Sequence, residues 1–330
     1  MSFPRYPRYK DSGVECLGPV PEHWDVTAMK RFNETVTDGA HISPETDGGV
    51  YHFVSTKDVT DDSIDFESCL RTSPQTYEYM VKTGCRPQVG DVLFSKDGTI
   101  GRTVVVRQNR EFVVASSLII IRPDRRLLNA DFLNYLCQSK FVTGQVESFV
   151  KGAGLPRLSI QNLLKVAGCF PPTTEQNAIA AFLDRETRKI DELVAEQRRL
   201  VELLREKRQA VISHVVTRGL NHTTPLKPSG IEWLGDVPKH WEVCLLKRAF
   251  RSVDYGISDS LDSEGAVAIL RMGNIENGKV VTDDLKYTDA VDPALLLVRG
   301  DLLYNRTNSL DLIGKVGMFL GGNESPVSFA

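Results

Sequence analysis

The side chains best suited to hold a metal or act as a nucleophile belong to six histidines and six cysteines. The histidines lack the spacing of metal ligands and no Cys-x-x-Cys pair occurs, so the sequence predicts neither a zinc site nor a disulfide framework. We expect the cysteines to be reduced, structural thiols. The residues concerned are His23, His41, His52, His214, His222, His240, Cys16, Cys69, Cys85, Cys137, Cys169 and Cys244.

Sequence motifs of enzymes that act on nucleotides or nucleic acids are missing as well. No Gly-x-x-x-x-Gly-Lys-Ser/Thr loop is present for ATP, and no Glu-x-Lys occurs for a nuclease. An adenine methyltransferase needs an Asn/Asp-Pro-Pro-aromatic loop, which Cys169 to Pro172 (CFPP) resembles only superficially. The sequence therefore predicts no catalytic residue, no metal and no cofactor.

The clearest pattern is an internal duplication. Ser12 to Val26 (SGVECLGPVPEHWDV) returns as Ser229 to Val243 (SGIEWLGDVPKHWEV), with ten of fifteen positions identical. The similarity continues further along both copies, since Gly90-Asp91 aligns with Gly300-Asp301. Ile100-Gly101 then aligns with Ile313-Gly314 after a three-residue insertion in the second copy. We expect two domains with a shared framework and different loops. The second is expected to be incomplete.

Composition limits the class of protein. The net charge of −3 gives no general indication of a nucleic-acid binder, although local basic residues can still contact phosphates. No eighteen-residue apolar run and no hydrophobic signal core occur. The sequence predicts a soluble, cytoplasmic protein without a membrane association.

Secondary-structure signals divide the chain into three parts. Short segments rich in Val, Ile and Phe alternate with glycine turns between residues 30 and 170, and Asn129 to Ser139 has helical spacing. The predicted class is α+β, with a first mainly β domain at 1–170, a long helix at 171–220 and a second, incomplete β domain at 221–330.

The helix has the pattern of a coiled coil. Thr173 to Gln176 fit a capping box, with Thr173 as N-cap. Apolar residues then recur at heptad spacing. A helix over 174–217 would be about 66 Å long, close to the 68 to 72 Å of two DNA turns. The predicted seam residues are Ile179, Leu183, Ile190, Leu193, Leu200, Leu204 and Val211.

These features together resemble the specificity subunit of type I restriction-modification systems, over essentially the whole chain. The order of the motifs and the duplication carry the resemblance. The motifs are Tyr9-Lys10-x-Ser12-Gly13 to Trp24, Gly90-Asp91, Ser95 to Gly101, Leu158-Ser159, Pro171-Pro172-x-x-Glu175-Gln176, Leu270 to Ile275 and Tyr304 to Ser309.

The resemblance implies a non-catalytic subunit with two target recognition domains, each binding half of a bipartite double-stranded DNA sequence. It also implies two conserved helices that pair antiparallel and dock methyltransferase subunits, and through them restriction subunits. DNA contacts would come from loops. On them, Arg and Lys can bind guanine or phosphate, and Asn can bind adenine. The candidate residues are Lys57, Lys96, Asp97, Thr99, Lys151, Arg157, Arg271, Asn274, Asn305, Arg306 and Asn308.

Three alternatives stay open. Because we expect the second conserved helix to be missing, the seam could pair with a second copy of the chain or with a complementary fragment encoded separately. The chain could instead be a decoy that occupies methyltransferase subunits, or a truncated protein that recognises one half-site. It could also be a coiled-coil scaffold whose β domains bind protein.

Overall fold

The computed structural model describes residues 5–14, 17–45, 47, 49–60, 63–150, 156–258, 260–307, 312–322 and 325–330. Its contacts divide the chain into two compact units, 1–207 and 208–330, with the boundary inside one long helix. The architecture is a mixed α+β fold, as the sequence predicts. No helix among the described residues is long and apolar enough to cross a membrane.

The first unit combines short strands with five helices, four of which lie after residue 129. Its strands are β1 (Tyr9–Asp11), β2 (Pro19–Pro21), β3 (Asp25–Ala28), β4 (Asn33–Asp38), β5 (Tyr51–Val54), β6 (Leu70–Thr72), β7 (Val92–Ser95), β8 (Thr103–Val105), β9 (Phe112–Val114), β10 (Leu118–Pro123) and β11 (Ala167–Phe170). Its helices are α1 (Pro74–Lys82), α2 (Ala130–Gln138), α3 (Lys140–Phe149), α4 (Ile160–Leu163) and the long α5 (Thr173–Arg218).

Two sheets form the centre of this unit, in the orders β4-β10-β7-β8 and β6-β5-β9. Strand β10 explains how they pack. Ile119 and Ile121 enter a core cluster shared with α2 and α3, whereas Leu118 and Ile120 enter a second cluster shared with β5 and β9. Successive side chains of a strand point to opposite faces, so a strand buried on both faces needs a continuous apolar run.

The second unit repeats part of this topology. Its strands are β12 (Leu226–Pro228), β13 (Asp236–Pro238), β14 (Val267–Leu270), β15 (Ile275–Glu276), β16 (Lys279–Val280), β17 (Lys286–Thr288), β18 (Leu302–Tyr304), β19 (Val316–Met318) and β20 (Val327–Phe329). The order β17-β14-β20 has one antiparallel and one parallel pair, as β6-β5-β9 does. Hairpin β12-β13 keeps the register of β1-β2. The internal duplication is therefore structural.

The long helix is anchored to the first unit differently from the predicted capping box. It begins at Thr173 itself, and Gln176 is fully buried. The Gln176 side-chain oxygen accepts from the Asn129 amide at 2.9 Å, and its nitrogen donates to the carbonyls of Leu127 and Pro171 at 2.9 and 2.8 Å. The capping-box prediction is wrong because buried backbone groups of the first unit compete for this side chain.

The predicted seam divides into two parts. Ile179 packs on the core of the first unit and Leu183 is half-buried. From Ile190 onward the seam residues are exposed by 46 to 60%. The exposed residues, which we call the α5 stripe, are Ile190, Leu193, Leu200, Leu204 and Val211.

Candidate nucleic-acid interface

The loops after β7 and β18 are closed in the same way in both copies. The amide of Gly101 donates to the carbonyl of Ser95 at 3.0 Å, and the amide of Gly314 donates to that of Asn305 at 2.8 Å. Asn305 therefore occupies the position of Ser95, and the second loop is longer, as the sequence alignment predicted. It follows that Arg306 occupies the position of Lys96.

A second pair of equivalent positions lies at two glycines, Gly39 in the first copy and Gly256 in the second. An added Cβ on Gly39 would lie 2.1 Å from the carbonyl oxygen of Ala115, and one on Gly256 would lie 2.4 Å from that of Phe329. Both glycines therefore permit a close approach between backbones. The residue before each glycine, Asp38 in the first copy and Tyr255 in the second, occupies the same place in the framework.

In the first copy, the equivalent positions hold an ion pair. Lys96 is only 5% exposed, and its Nζ lies 2.5 Å from Asp38 Oδ2. His41 Nε2 lies 2.9 Å from the same oxygen. Partial burial raises the pKa of Asp38, but the hydrogen bonds and charges of Lys96 and His41 outweigh it, so the pKa lies below its ordinary value. In this arrangement the Lys96 charge is directed at Asp38 and not at solvent.

The remaining candidates of the first copy lie around the same loop. Arg157 binds Asp97 through both Nε and Nη2, at 2.6 and 3.1 Å, and this pairing raises the pKa of Arg157. Thr99 is exposed, and so is Lys57. Ser117 ties the turn of Lys57 to this loop, because its Oγ accepts from the Thr56 amide and its carbonyl from the Lys96 amide. Lys151 lies outside the described residues.

Two asparagines of the second copy serve its framework. Asn274 is 5% exposed; its Oδ1 accepts from the Arg271 amide, and its Nδ2 donates to the carbonyls of Val281 and Asp283. Asp58 caps the corresponding turn in the first copy. Asn305 is 6% exposed and donates to the Met272 carbonyl at 3.3 Å.

The arginines of the second copy are more accessible. Arg271 contacts Asp284, with Nη2 3.2 Å from Oδ2. Arg306 is exposed, and its guanidinium carbon lies 4.5 Å from the centre of the Tyr255 ring. Tyr255 is itself 70% exposed. Tyr255 was absent from the sequence candidates, although the alignment of Val253 to Gly256 with residues 36–39 could have indicated it. Asn308 lies outside the described residues.

The duplicated Pro-x-His-Trp motif has a structural role in the first copy. Glu175 lies in the first turn of α5, and its carboxylate accepts hydrogen bonds from Tyr6 Oη and, at 3.2 Å, from Trp24 Nε1. The same carboxylate lies 2.8 Å from His23 Nε2. Burial and the Glu175 hydrogen bond raise the pKa of Tyr6 to about 12. Burial acts against ionisation of Glu175, but its three partners lower the Glu175 pKa overall. The motif thus fixes the start of the helix.

Comparison with known proteins identifies the family. Residues 21–203 match the family described as "Type I restriction modification DNA specificity domain". The chain belongs to this family. This specificity-domain chain is 24% identical over 285 residues to the putative type I restriction enzyme MjaX specificity subunit of Methanocaldococcus jannaschii, covering 83% of the chain and 64% of the relative. It is 26% identical over 208 residues to the EcoKI specificity subunit of Escherichia coli, covering 60% and 42%.

Solved structures give weaker similarities. The HsdS subunit of Thermoanaerobacter tengcongensis is 15% identical with a TM-score of 0.46, covering 94% of this chain and 74% of that one. The S subunit from M. genitalium is 14% identical with a TM-score of 0.38, covering 90% and 70%. The specificity-domain chain spans less than two thirds of the length of the two curated relatives.

Family membership confirms the resemblance that the sequence motifs indicated: the chain carries a type I restriction modification DNA specificity domain. Within the described residues, the structure contains no group of His, Cys, Asp and Glu that could hold a metal. Four described cysteines, Cys69, Cys85, Cys137 and Cys169, are buried free thiols, whereas Cys244 is exposed. Burial raises the pKa of Cys137 to about 12, which makes its thiol unreactive.

Proposed function

We propose that the two copies recognise two separate parts of one double-stranded DNA target, within a type I restriction-modification complex in the cytoplasm. The observation that supports this proposal is the common loop framework with different side chains at its equivalent positions. Asp38 and Lys96 in one copy stand where Tyr255 and Arg306 stand in the other. A shared scaffold positions the contacts, and different side chains select different bases.

Footprinting tests the bipartite proposal. The chain is combined with the methyltransferase subunits of its own restriction system and with DNA that carries the system's methylation site. We expect two protected blocks. One block would indicate recognition of a single half-site, and an assembled complex without protection would indicate a decoy; either result contradicts the proposal.

We further propose that the α5 stripe docks the methyltransferase subunits. Four of its residues, Ile190, Leu193, Leu200 and Leu204, follow heptad spacing and remain about half exposed. Burial of such side chains contributes roughly 1.5 to 3 kcal/mol each before entropy losses. An apolar surface of this kind typically marks a protein interface.

A matched pair of variants tests this docking. Leu200→Asp places a carboxylate in the stripe, whereas Arg199→Asp places one on the neighbouring exposed face of the same helix. We expect Leu200→Asp alone to abolish co-purification with the methyltransferase subunit. Equal co-purification of both variants would contradict docking through the stripe.

A second candidate for the same surface is antiparallel pairing with another copy of α5. The same exposed heptad residues favour it, because two identical stripes are complementary in an antiparallel pair. Analytical ultracentrifugation of the chain alone separates the two ideas. A dimer that Leu200→Asp dissociates supports self-pairing, and a stable monomer at micromolar concentration excludes it.

A further inference from the structure

A groove of about 800 Å³ opens on the first unit, and none of the DNA-binding candidates predicted from sequence is among its lining residues. It lies beside the edge strand β4, the segment between α1 and β7, and the end of β10. Three arginines and several neutral hydrogen-bonding side chains line it. The polar lining includes Arg86, Arg122, Arg125, Thr35, Thr37 and Asn109.

Two of these guanidinium groups are held in place by the framework. Arg122 binds the buried Asp91 through Nε and Nη2, at 2.9 and 2.7 Å. Arg125 donates to the carbonyl of Val89, and its Nη2 lies 2.9 Å from where a Cβ on Gly90 would be. Because these side chains are already ordered, a ligand would lose little of their conformational entropy on binding.

The charges of the groove are only partly compensated. Asp91 neutralises Arg122, and Glu34 adds a weaker interaction with it. Arg86 and Glu111 act on the pKa of Tyr77 in opposite directions, so Glu111 is an acidic residue in the neighbourhood of Arg86. Among the described residues, Arg86 and Arg125 have no ion pair. The candidates at the opposite end of the sheet differ, since Lys96 is paired with Asp38 and Arg157 with Asp97.

We propose that this groove binds the phosphodiester backbone of DNA and provides the main electrostatic attachment of the first copy. The inference rests on the proposed function, and it places the attachment on Arg86 and Arg125 instead of the loop of Lys96. Guanidinium forks match phosphate oxygens, and hydroxyl and amide groups such as those of Thr35 and Asn109 are ordinary phosphate partners. Backbone contacts orient the protein without selecting bases.

The test uses the full chain assembled with its methyltransferase subunits and measures DNA affinity as a function of salt. The double variant Arg86→Gln/Arg125→Gln removes two uncompensated charges and leaves the Arg122 pair intact. The control Arg107→Gln/Arg126→Gln removes the same charge from arginines that are paired with Asp131 and Asp124. Thermal unfolding of each variant verifies that the first unit is folded.

We expect the double variant to lose about tenfold or more in affinity near 0.15 M salt. The slope of log affinity against log salt should fall by about 2, since each phosphate contact contributes about 0.9. The ratio between target and scrambled DNA should stay unchanged, and the control should bind as the wild type does. Wild-type affinity and slope in a folded double variant would overturn the proposal.

If the wild-type complex binds no DNA at all, the proposed function itself fails, and the groove proposal fails with it.

A titration with a phosphate compound distinguishes binding of the DNA backbone from binding of a free phosphate ligand. Inorganic triphosphate is titrated against the wild type and the double variant without DNA. Triphosphate binding that requires Arg86 and Arg125, combined with unchanged DNA binding in the double variant, would assign the groove to a free phosphate ligand instead.

Discussion

Arg306 lies with its guanidinium carbon 4.5 Å from the Tyr255 ring centre, at the two positions that Lys96 and Asp38 occupy in the first copy. The framework around the two pairs is the same, but the charge balance is not. Lys96 is neutralised by a carboxylate, whereas Arg306 forms no ion pair with another described residue and lies beside an aromatic face. We therefore expect this position to contribute to base selection in the second copy.

Replacing Arg306 tests that expectation. Arg306→Ala should relax the preference for one base pair, with guanine as the expected partner, by about 1 to 3 kcal/mol. Binding selection from a randomised DNA library measures the effect at every position of the target. Arg251→Ala, another exposed arginine of this copy, is the control and should leave the selected sequence unchanged. An unaltered library profile for Arg306→Ala would exclude a base contact.

The Lys96 and Asp38 ion pair should stabilise the first unit. Asp38→Asn leaves Lys96 buried without a counter-charge, and we expect a loss of about 3 kcal/mol in the free energy of unfolding. Asp124→Asn removes the partner of Arg126, whose side chain is 85% exposed, and should change stability by less than about 1 kcal/mol. Urea unfolding combined with hydrogen exchange of the β10 amides measures the stability change of each variant. Equal losses would contradict a special role for the buried pair.

The same pair predicts a pH dependence with a definite sign. The pKa of Asp38 in the folded protein lies below its unfolded value of about 3.9. Its contribution is therefore complete above about pH 4 and is lost as pH falls through the folded-state pKa. The stability difference between wild type and Asp38→Asn should be constant near neutral pH and shrink in acid. A difference that grows on acidification would contradict this assignment.

The features that could be predicted from sequence are those encoded by local patterns. Ten identities in fifteen positions revealed the duplication, and heptad spacing indicated α5 to within one residue at each end. β10 lies in the part of the chain that was predicted as β-rich because short segments rich in Val, Ile and Phe alternate there with glycine turns. These patterns can be recognised in the order of residues along the chain, so knowledge of the tertiary structure is not needed to detect them.

The features that escaped prediction depend on partners distant in sequence. Asn274 has the right chemistry to bind adenine, yet backbone carbonyls seven and nine residues away occupy its amide. Lys96 is in the right loop, yet Asp38 neutralises it across 58 residues. Arg86 and Arg125 are brought to one groove only by the fold. Polar residue type alone therefore does not separate framework from contact surface.

Gln176 should be one of the most sensitive positions in the first unit. Gln176→Leu keeps a side chain of similar size but leaves the Asn129 amide and two carbonyls without partners, and we expect a loss of about 3 kcal/mol. Gln197→Leu makes the same exchange on the exposed part of α5 and should change stability by less than about 0.5 kcal/mol. Urea denaturation of the two variants is the comparison, and similar midpoints would refute the role of Gln176.

Gly39 gives the sharpest test of the shared framework. Gly39→Ala would place a methyl group 2.1 and 2.2 Å from the carbonyl oxygens of Ala115 and Val114, so strand β9 and the end of β4 must separate. We expect this variant to lose the first unit's cooperative unfolding. Gly144→Ala, in α3 with open space around it, should stabilise the unit by up to about 1 kcal/mol, because alanine favours helix more than glycine does. Thermal unfolding distinguishes the two variants, and a native melting curve for Gly39→Ala would disprove the close backbone approach.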